Sequence, residues 1–235
     1  MIIDKTKCIG CDFCLVICPL SAIYLEKKKA VIDQHTCVEC GVCKRSNICS
    51  QNAFLEDDLN WPRSFRKVLS DPVTMVETTK VTGRGTEEMK TNDVTNRYKE
   101  DEYGFSIDVG RPNIGTSIRE IEKLTKKLAS LGVIFEEENP ITTIMKDLKT
   151  GVIREEMLNQ NLMSGIIEFR IPREKLKTVL NALQEIEPEI GTVFTIGIVT
   201  KFSKEDNNLP VIDELESNGF SIAPQAKINI GLGRR

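Results

Sequence analysis

The sequence predicts an α+β protein of two domains, a small cysteine-rich domain at the N-terminus and a βαββαβ sandwich in the C-terminal half. Two observations support this prediction. All eight cysteines occur at or before Cys49 and fall into two similar groups. After residue 103, hydrophobic patterns typical of strands and helices follow one another in the order strand, helix, strand, strand, helix, strand. The chain has 235 residues, 40% of them hydrophobic, which is enough for two domains.

The eight cysteines form two motifs of four. The first has the spacing C-x2-C-x2-C-x3-C-P and consists of Cys8, Cys11, Cys14, Cys18 and Pro19. The second begins 29 residues later and consists of Cys37, Cys40, Cys43 and Cys49. The pair Ile3-Asp4 before the first motif recurs as Ile32-Asp33 before the second. Iron is a soft ion that prefers thiolate ligands, so cysteines at this spacing predict iron-sulfur clusters.

Two other uses of the cysteines are possible in principle. Disulfide bonds would need an oxidising compartment, but no signal peptide precedes Met1, which predicts a cytoplasmic protein. Zinc also binds C-x2-C pairs, although zinc sites seldom use a third cysteine two residues further on. His35 is the only histidine. Its counterpart in the repeat is Thr6, so we expect His35 to be an exposed residue and not a ligand.

Residues 1–56 resemble the bacterial-type ferredoxins that hold two [4Fe-4S] clusters. The resemblance implies that the fourth ligand of each cluster comes from the other motif. The first cluster would then be bound by Cys8, Cys11, Cys14 and Cys49, and the second by Cys18, Cys37, Cys40 and Cys43. The first motif matches the family at every position, whereas the second departs from it. Five residues separate Cys43 from Cys49, and Ser50 stands where the family has proline.

A cluster with four protein ligands has no open iron site, so its default role is one-electron transfer, and the resemblance implies a low reduction potential. Residues 1–56 carry seven Lys and Arg against six Asp and Glu. Such a nearly neutral surface gives weak long-range steering of partners. We therefore expect a dedicated protein redox partner, docked through the additional domain. The net charge of −3 and 6% aromatic content argue against nucleic-acid binding. No apolar segment approaches the ~20 residues of a membrane span.

Residues 57–103 are polar and predict a linker or an irregular, site-forming segment. Residues 104–235 predict a ferredoxin-like βαββαβ domain with a C-terminal helix and strand. Its predicted strands include Phe105–Val109, Val133–Phe135, Ile167–Ile171 and Val193–Phe202, and Ile141–Met145 is a further candidate. One helix, capped by Ser117 and Glu120 and ended by Gly132, has its apolar face at Ile118, Ile121, Leu124, Leu128 and Leu131. The other has Leu176, Val179, Leu180, Leu183 and Ile186. The extension is a helix at Val211–Asn218 and a strand at Lys227–Ile230.

Two glycine-containing segments are candidate sites for a small anion or a partner carboxylate. One is Gly83-Arg84-Gly85, and the other runs from Gly110 to Ser117 and contains Arg111 and Gly115. Free backbone N–H groups at a helix start, beside an arginine, favour anion binding. The alternative interpretation is that both segments are ordinary glycine turns. Residues 83–95 are also similar to extensions of uncharacterised ferredoxin-like proteins from methanogens and other anaerobes, which implies an anaerobic, archaeal source.

The sequence leaves two classes of function open. In the first, the protein is an electron-transfer subunit or a dedicated donor. In the second, it is a redox enzyme component or a ligand sensor whose C-terminal domain binds a small anionic molecule. With one histidine and no spare cysteine, the chain offers no Ser/His/Asp or Cys/His catalytic set. This argues against hydrolysis and thiol chemistry, but not against reduction by the clusters. We expect a non-catalytic electron-transfer protein, and the sequence leaves the oligomeric state open.

Overall fold

A computed structural model describes residues 1–77, 80, 82, 96–201, 203, 208–224 and 226. These residues form a mixed α+β structure, as the sequence predicts. The helices are α1 (Phe13–Ile17), α2 (Val42–Arg45), α3 (Arg63–Ser70), α4 (Ile118–Ser130), α5 (Pro140–Thr143), α6 (Leu176–Ile186) and α7 (Pro210–Ser217). None of the helices in the described part of the chain is long and apolar enough to cross a membrane.

The N-terminal half contains two short antiparallel pairs of strands. The strands are β1 (Ile2–Ile3), β2 (Ile23–Glu26), β3 (Lys29–Ile32) and β4 (Phe54–Leu55). β1 pairs with β4, and β2 pairs with β3. Ile3 lies opposite Phe54, and Ile23 lies opposite Ile32. Ile3 and Ile32 are equivalent in the repeat, and each precedes one motif. The strand that contains it pairs with the strand that follows the other motif, so each pair joins one motif to the other.

The C-terminal half is built on a four-stranded antiparallel sheet. Its strands are β5 (Glu102–Val109), β7 (Ile134–Phe135), β11 (Gly165–Pro172) and β12 (Phe194–Val199), and their order across the sheet is β12, β5, β11, β7. Shorter strands β6 (Thr116–Ser117), β8 (Met145–Asp147), β9 (Val152–Ile153) and β10 (Asn161–Leu162) form two further pairs, β6 with β10 and β8 with β9.

The predicted core of this half is confirmed. Every second residue of β5 and β11 is at most 1% exposed, as are the apolar residues of α4 that face them: Phe105, Ile107, Val109, Ile167, Phe169, Ile171, Ile118, Ile121, Leu124 and Leu128. Phe105 and Phe169 are directly opposite in register and stack with ring centroids 5.0 Å apart. The predicted apolar face of α6 is also buried.

Two predicted elements differ from the structure, and a third lies outside the described residues. Residues 141–143 of the candidate strand Ile141–Met145 belong to helix α5 instead, because Asn139 accepts a hydrogen bond from Ile141 N at 2.8 Å and Pro140 occupies the first turn. Strand β12 ends at Val199, and Phe202 lies outside the described residues. The predicted C-terminal helix is confirmed as α7, whereas the predicted strand Lys227–Ile230 lies outside the described residues.

Helix α3 connects the two halves and was not predicted. Its apolar residues Phe65 and Leu69 belong to the core of the C-terminal half. On the same helix, Arg66 donates hydrogen bonds to carbonyl oxygens of Gln34 and Cys37 in the N-terminal half. Part of the polar segment 57–103 is therefore an ordered helix that contacts both halves.

Candidate metal centres

The eight cysteines line two separate cavities, four to each. The first cavity is lined by Cys8, Cys11, Cys14 and Cys49. The second cavity is lined by Cys18, Cys37, Cys40 and Cys43. Each encloses about 390 Å³, including its open mouth. Both cavities combine three cysteines of one motif with the last cysteine of the other, which is the grouping that the sequence predicts.

The repeat in the sequence corresponds to a repeat in backbone conformation that presents the first three cysteines. Asp4 Oδ1 accepts a hydrogen bond from Thr6 N at 2.9 Å, and Asp33 Oδ1 accepts one from His35 N at 3.0 Å. The resulting turns are closed by Cys8 N on the Asp4 carbonyl and Cys37 N on the Asp33 carbonyl. The spacing between aspartate and cysteine is the same in both motifs, and it forms the same turn twice.

Both cysteine loops also use left-handed backbone at the same two positions. The second residue after the first cysteine is Gly10 (φ 72°) or Glu39 (φ 60°). The residue after the second cysteine is Asp12 (φ 62°) or Gly41 (φ 69°). A Cβ atom at Gly10 would lie 2.1 Å from the carbonyl oxygen of Lys28, so only glycine fits there. The two loops therefore wrap their cavities in the same way.

Backbone N–H groups are directed at three of the cysteine sulfurs. Ala22 N lies 3.2 Å from Cys18 Sγ, and Ala53 N lies 3.4 Å from Cys49 Sγ. Ala30 N lies 3.3 Å from Cys8 Sγ. Such N–H donors stabilise thiolates and the sulfur ligands of clusters. Each cavity thus has four soft thiol ligands, and at least one of their sulfurs accepts a backbone N–H. Such a site suits a [4Fe-4S] cluster.

Burial and neighbouring thiols raise the pKa of at least one cysteine in each cavity. Burial, followed by the neighbouring thiols of Cys40, Cys37 and Cys18, raises the pKa of Cys43 to about 12. Burial, followed by its neighbours in the first cavity, also raises the pKa of Cys14. Four adjacent thiols can ionise together only if positive charge compensates them, and a metal centre supplies that charge. Among the described residues, no three His, Cys, Asp or Glu side chains surround a point that suits a single metal ion.

Three arginines and the N-terminus surround the second cavity. Arg45 donates to the Cys40 carbonyl at 2.6 Å and pairs with Asp71 at 2.6 Å. Glu39, 3% exposed in the cavity wall, pairs with both Arg63 and the Met1 ammonium. Arg66 donates to the Cys37 carbonyl. Sequence reasoning missed all four groups, because their partners are mostly backbone carbonyls and residues distant in the chain.

The two cavities differ in their surroundings. Ile9 and Phe13 line the first cavity and are 62% and 63% exposed. The second cavity lies on the side of the C-terminal half, where Asn113 N donates to the Pro19 carbonyl at 2.8 Å. Leu20, which lines the second cavity, also lies close to Gly115. The first cavity is therefore the one beside exposed apolar side chains.

The predicted anion-binding residues are only partly described. Gly83, Arg84 and Gly85 lie outside the described residues. Arg111 is exposed, and Gly115 is buried. Backbone N–H groups of this segment are bonded within the protein, Gly110 to Val193, Asn113 to Pro19 and Gly115 to Arg111. Gly115 lies close to Leu20 and thus allows a close contact between the two halves, and a binding role of the Arg111 side chain stays a prediction.

Comparisons with known proteins agree with the first motif. Residues 1–24 match the family model described as 4Fe-4S binding domain. Over 47 residues the chain is 38% identical to an "Iron-sulfur protein" of Rhodospirillum rubrum, which covers 20% of this chain and 24% of that protein. Over 41 residues it is 44% identical to "Pyruvate synthase subunit PorD" of Methanothermobacter marburgensis, which covers 17% of this chain and 47% of that subunit.

The chain therefore spans less than half the length of either relative. No solved structure matches the chain significantly. The N-terminus thus carries the features of a 4Fe-4S binding domain, and the matches support an iron-sulfur electron-transfer role.

Proposed function

We propose that the protein is a low-potential electron-transfer protein that holds two [4Fe-4S] clusters and serves a dedicated redox partner. The observation that carries this proposal is the division of the eight cysteines between two cavities, four to each. A [4Fe-4S] cluster bound by four thiolates supplies one-electron transfer. In this proposal Cys8, Cys11, Cys14 and Cys49 bind the first cluster, and Cys18, Cys37, Cys40 and Cys43 bind the second.

The surface beside the first cavity supports exchange of electrons with another protein. Phe13 and Val16 of α1 are 63% and 88% exposed, and Ile9 lies in the adjacent loop. Exposed aromatic and aliphatic residues are typical of the centres of protein interfaces. A partner that covers these residues would bring its own redox group next to the first cavity. PorD, one of the relatives, is by name a subunit of a larger enzyme.

The C-terminal half, in this proposal, is a ferredoxin-like βαββαβ sandwich that orients the partner. The order of the sheet supports the sandwich, because its fourth strand lies beside the first, the first beside the third and the third beside the second. The two hydrophobic clusters, one in each half, support division into domains at 1–56 and 104–235. Since the sandwich occurs with many functions, its role as a docking domain is inferred from its position beside the second cavity.

Cluster content tests the central claim. We expect protein purified anaerobically to contain about eight iron and about eight acid-labile sulfide atoms per chain, the content of two cubanes. Reduction by dithionite should bleach the broad visible absorption and give paramagnetic signals. Two results would contradict the proposal. One is zinc in place of iron, and the other is a fully loaded protein with only about four iron atoms per chain.

A further inference from the structure

Arg66 is a buried cation between the second cavity and the C-terminal half. Its side chain lies on α3 and is part of a residue only 4% exposed. Nη1 donates to the carbonyl oxygens of Cys37 and Gln34, the latter at 2.8 Å. Nη2 and Nε donate to Oε1 of Gln160 at 2.6 and 3.2 Å. All three acceptors are neutral groups.

The other cations around the second cavity are balanced by carboxylates. Arg45 pairs with Asp71, the Met1 ammonium pairs with Glu39, and Arg63 pairs with Glu39 and with Asp57 at 2.9 Å. Among the salt bridges of the described residues, none contains Arg66. Burial of a guanidinium without a bonded carboxylate is unfavourable unless another negative group compensates it. A cluster with four thiolates in the second cavity is such a group.

The first cavity offers an internal comparison. There Lys29 Nζ donates to the carbonyl oxygen of Cys8. Cys8 and Cys37 are equivalent in the repeat, so each motif has one cation on the carbonyl of its first cysteine. Lys29 is partly exposed, however, and water weakens its electrostatic effect. Arg66 comes from outside the repeat and is shielded from water by the C-terminal half.

We propose that Arg66 raises the reduction potential of the cluster held by Cys18, Cys37, Cys40 and Cys43 above that of the other cluster. This inference rests on the proposed function, namely that both cavities hold [4Fe-4S] clusters. A cluster with its four thiolates carries about two negative charges when oxidised and about three when reduced. The buried guanidinium therefore stabilises the reduced form more than the oxidised form.

The proposal gives electron transfer a direction. An electron from an external one-electron donor arrives beside the exposed residues Ile9 and Phe13 at the first cavity. With clusters bound in both cavities, the electron would pass to the second cluster, whose potential Arg66 raises, and the first cluster would be oxidised as the second is reduced. The second cavity lies against the C-terminal half, so the electron is held on the side of the docking domain. Arg66 acts on the potential of the second cluster through its charge and does not contact the external electron donor.

Potentiometric titration of the full-length protein with its clusters tests the proposal. Dithionite is the reductant, paramagnetic spectra follow each cluster, and Cys11→Ser and Cys40→Ser variants assign the two signals. We expect Arg66→Gln to disfavour reduction of the second cluster at least tenfold, equivalent to about 59 mV for a one-electron couple. Arg66→Lys, which keeps the charge, should restore most of the potential.

Three further variants control for indirect effects. Lys29→Gln removes the equivalent cation at the first cavity and should shift only the first cluster, and by less, because Lys29 is partly exposed. Lys127→Gln removes a charge that pairs with Glu185 on the C-terminal half, and it should shift neither. Gln160→Glu places a carboxylate against Arg66 without removing it, and it should shift the second cluster in the same direction as Arg66→Gln.

Distinct outcomes would overturn the two proposals. If the wild-type protein contains fewer than two clusters, the proposed function fails and this inference fails with it. If both clusters are present, but Arg66→Gln lowers thermal stability without shifting the second potential, Arg66 is only a structural link and the inference alone fails. If Arg66→Gln does not assemble its clusters, Gln160→Glu decides, and an unchanged second potential in that variant overturns the inference.

Discussion

At the residue scale, the second motif reaches the same ligand geometry as the first despite two extra residues. The insertion between Cys43 and Cys49 includes Asn47, whose φ of 51° turns the chain after α2. Ala53 N then meets Cys49 Sγ just as Ala22 N meets Cys18 Sγ. Ser50, in the place of the family's proline, does not prevent this bond. The two extra residues of the second motif are thus accommodated before Cys49.

The proposed exchange of ligands between motifs predicts which cluster each substitution damages. Cys49→Ala should damage the first cluster, and Cys18→Ala the second, because each removes one thiolate from the cavity of the opposite motif. Paramagnetic spectra of the reduced variants measure this, with Cys11→Ala and Cys40→Ala as references for loss of each cluster. If the spectrum of Cys49→Ala matched that of Cys40→Ala, the assignment of ligands would be wrong.

At the element scale, α4 illustrates how a local signal determines a helix boundary. Ser117 Oγ accepts the N–H of Glu120 at 3.4 Å, as the predicted cap requires. The Glu120 carboxylate does not return the bond to Ser117. It accepts the N–H of Gly191 at 2.6 Å and pairs with Lys123. Glu120 therefore connects the start of α4 to the segment before β12.

Removal of the Ser117 cap should cost stability but not cluster content. Ser117→Ala leaves one helix N–H without its side-chain acceptor, and we expect a loss of about 1 kcal/mol in the free energy of unfolding. Chemical denaturation followed by circular dichroism measures it. Ser130→Ala is the matched control, because Ser130 lies exposed in the last turn and alanine favours helix there. Equal losses in both variants would show that the cap contributes nothing.

Elements with a strong local pattern could be predicted, and those that depend on distant partners could not. In β5 and in α4, one side of the element is buried. This produces the alternation of Phe105, Ile107 and Val109 in the strand and the apolar face of the helix. Helix α3 is different, because its buried residues include the polar Arg66 and Ser70. Arg66 donates to carbonyls of the N-terminal half, and Ser70 Oγ accepts from Met163 N of the C-terminal half. In α5 the β-branched residues from Ile141 indicated a strand, and the Asn139-Pro140 start outweighed them.

The same distinction applies to the candidate sites. The division of the cysteines into two groups could be predicted because three of every four lie within one loop, at a spacing that indicates a cluster. Their role as ligands stays a prediction. The surrounding charges could not, because Arg66 meets its acceptor on Gln160 across 94 positions of the chain. The segment around Arg111 was interpreted as an anion site from its glycines, yet Asn113 N is bonded to Pro19. Only the packing of the two halves reveals that use.

At the scale of the whole molecule, the two halves have very different cores. In the described residues, the core of the C-terminal half contains 29 buried hydrophobic residues, including Phe65 and Leu69 of α3. The core of the N-terminal half contains seven, and one of these is Cys8. A domain of fewer than about 70 residues rarely obtains more than about 3–5 kcal/mol from its hydrophobic core, and metal centres commonly supply the rest. We therefore expect the N-terminal half to depend on the clusters proposed for it.

Removal of iron should consequently unfold one half and spare the other. We expect a chelator with a mild oxidant to abolish amide protection in residues 1–56, because no metal then connects the four adjacent cysteines of each cavity. The strands β5 and β11 should keep their protection, since their core does not include the cysteines. Helix α3 should also stay protected through Phe65 and Leu69, although Arg66 loses its acceptors on Gln34 and Cys37.

Hydrogen exchange followed by mass spectrometry distinguishes these regions. Loss of protection throughout the chain would instead mean that the clusters, α3 and the sandwich form one cooperative unit.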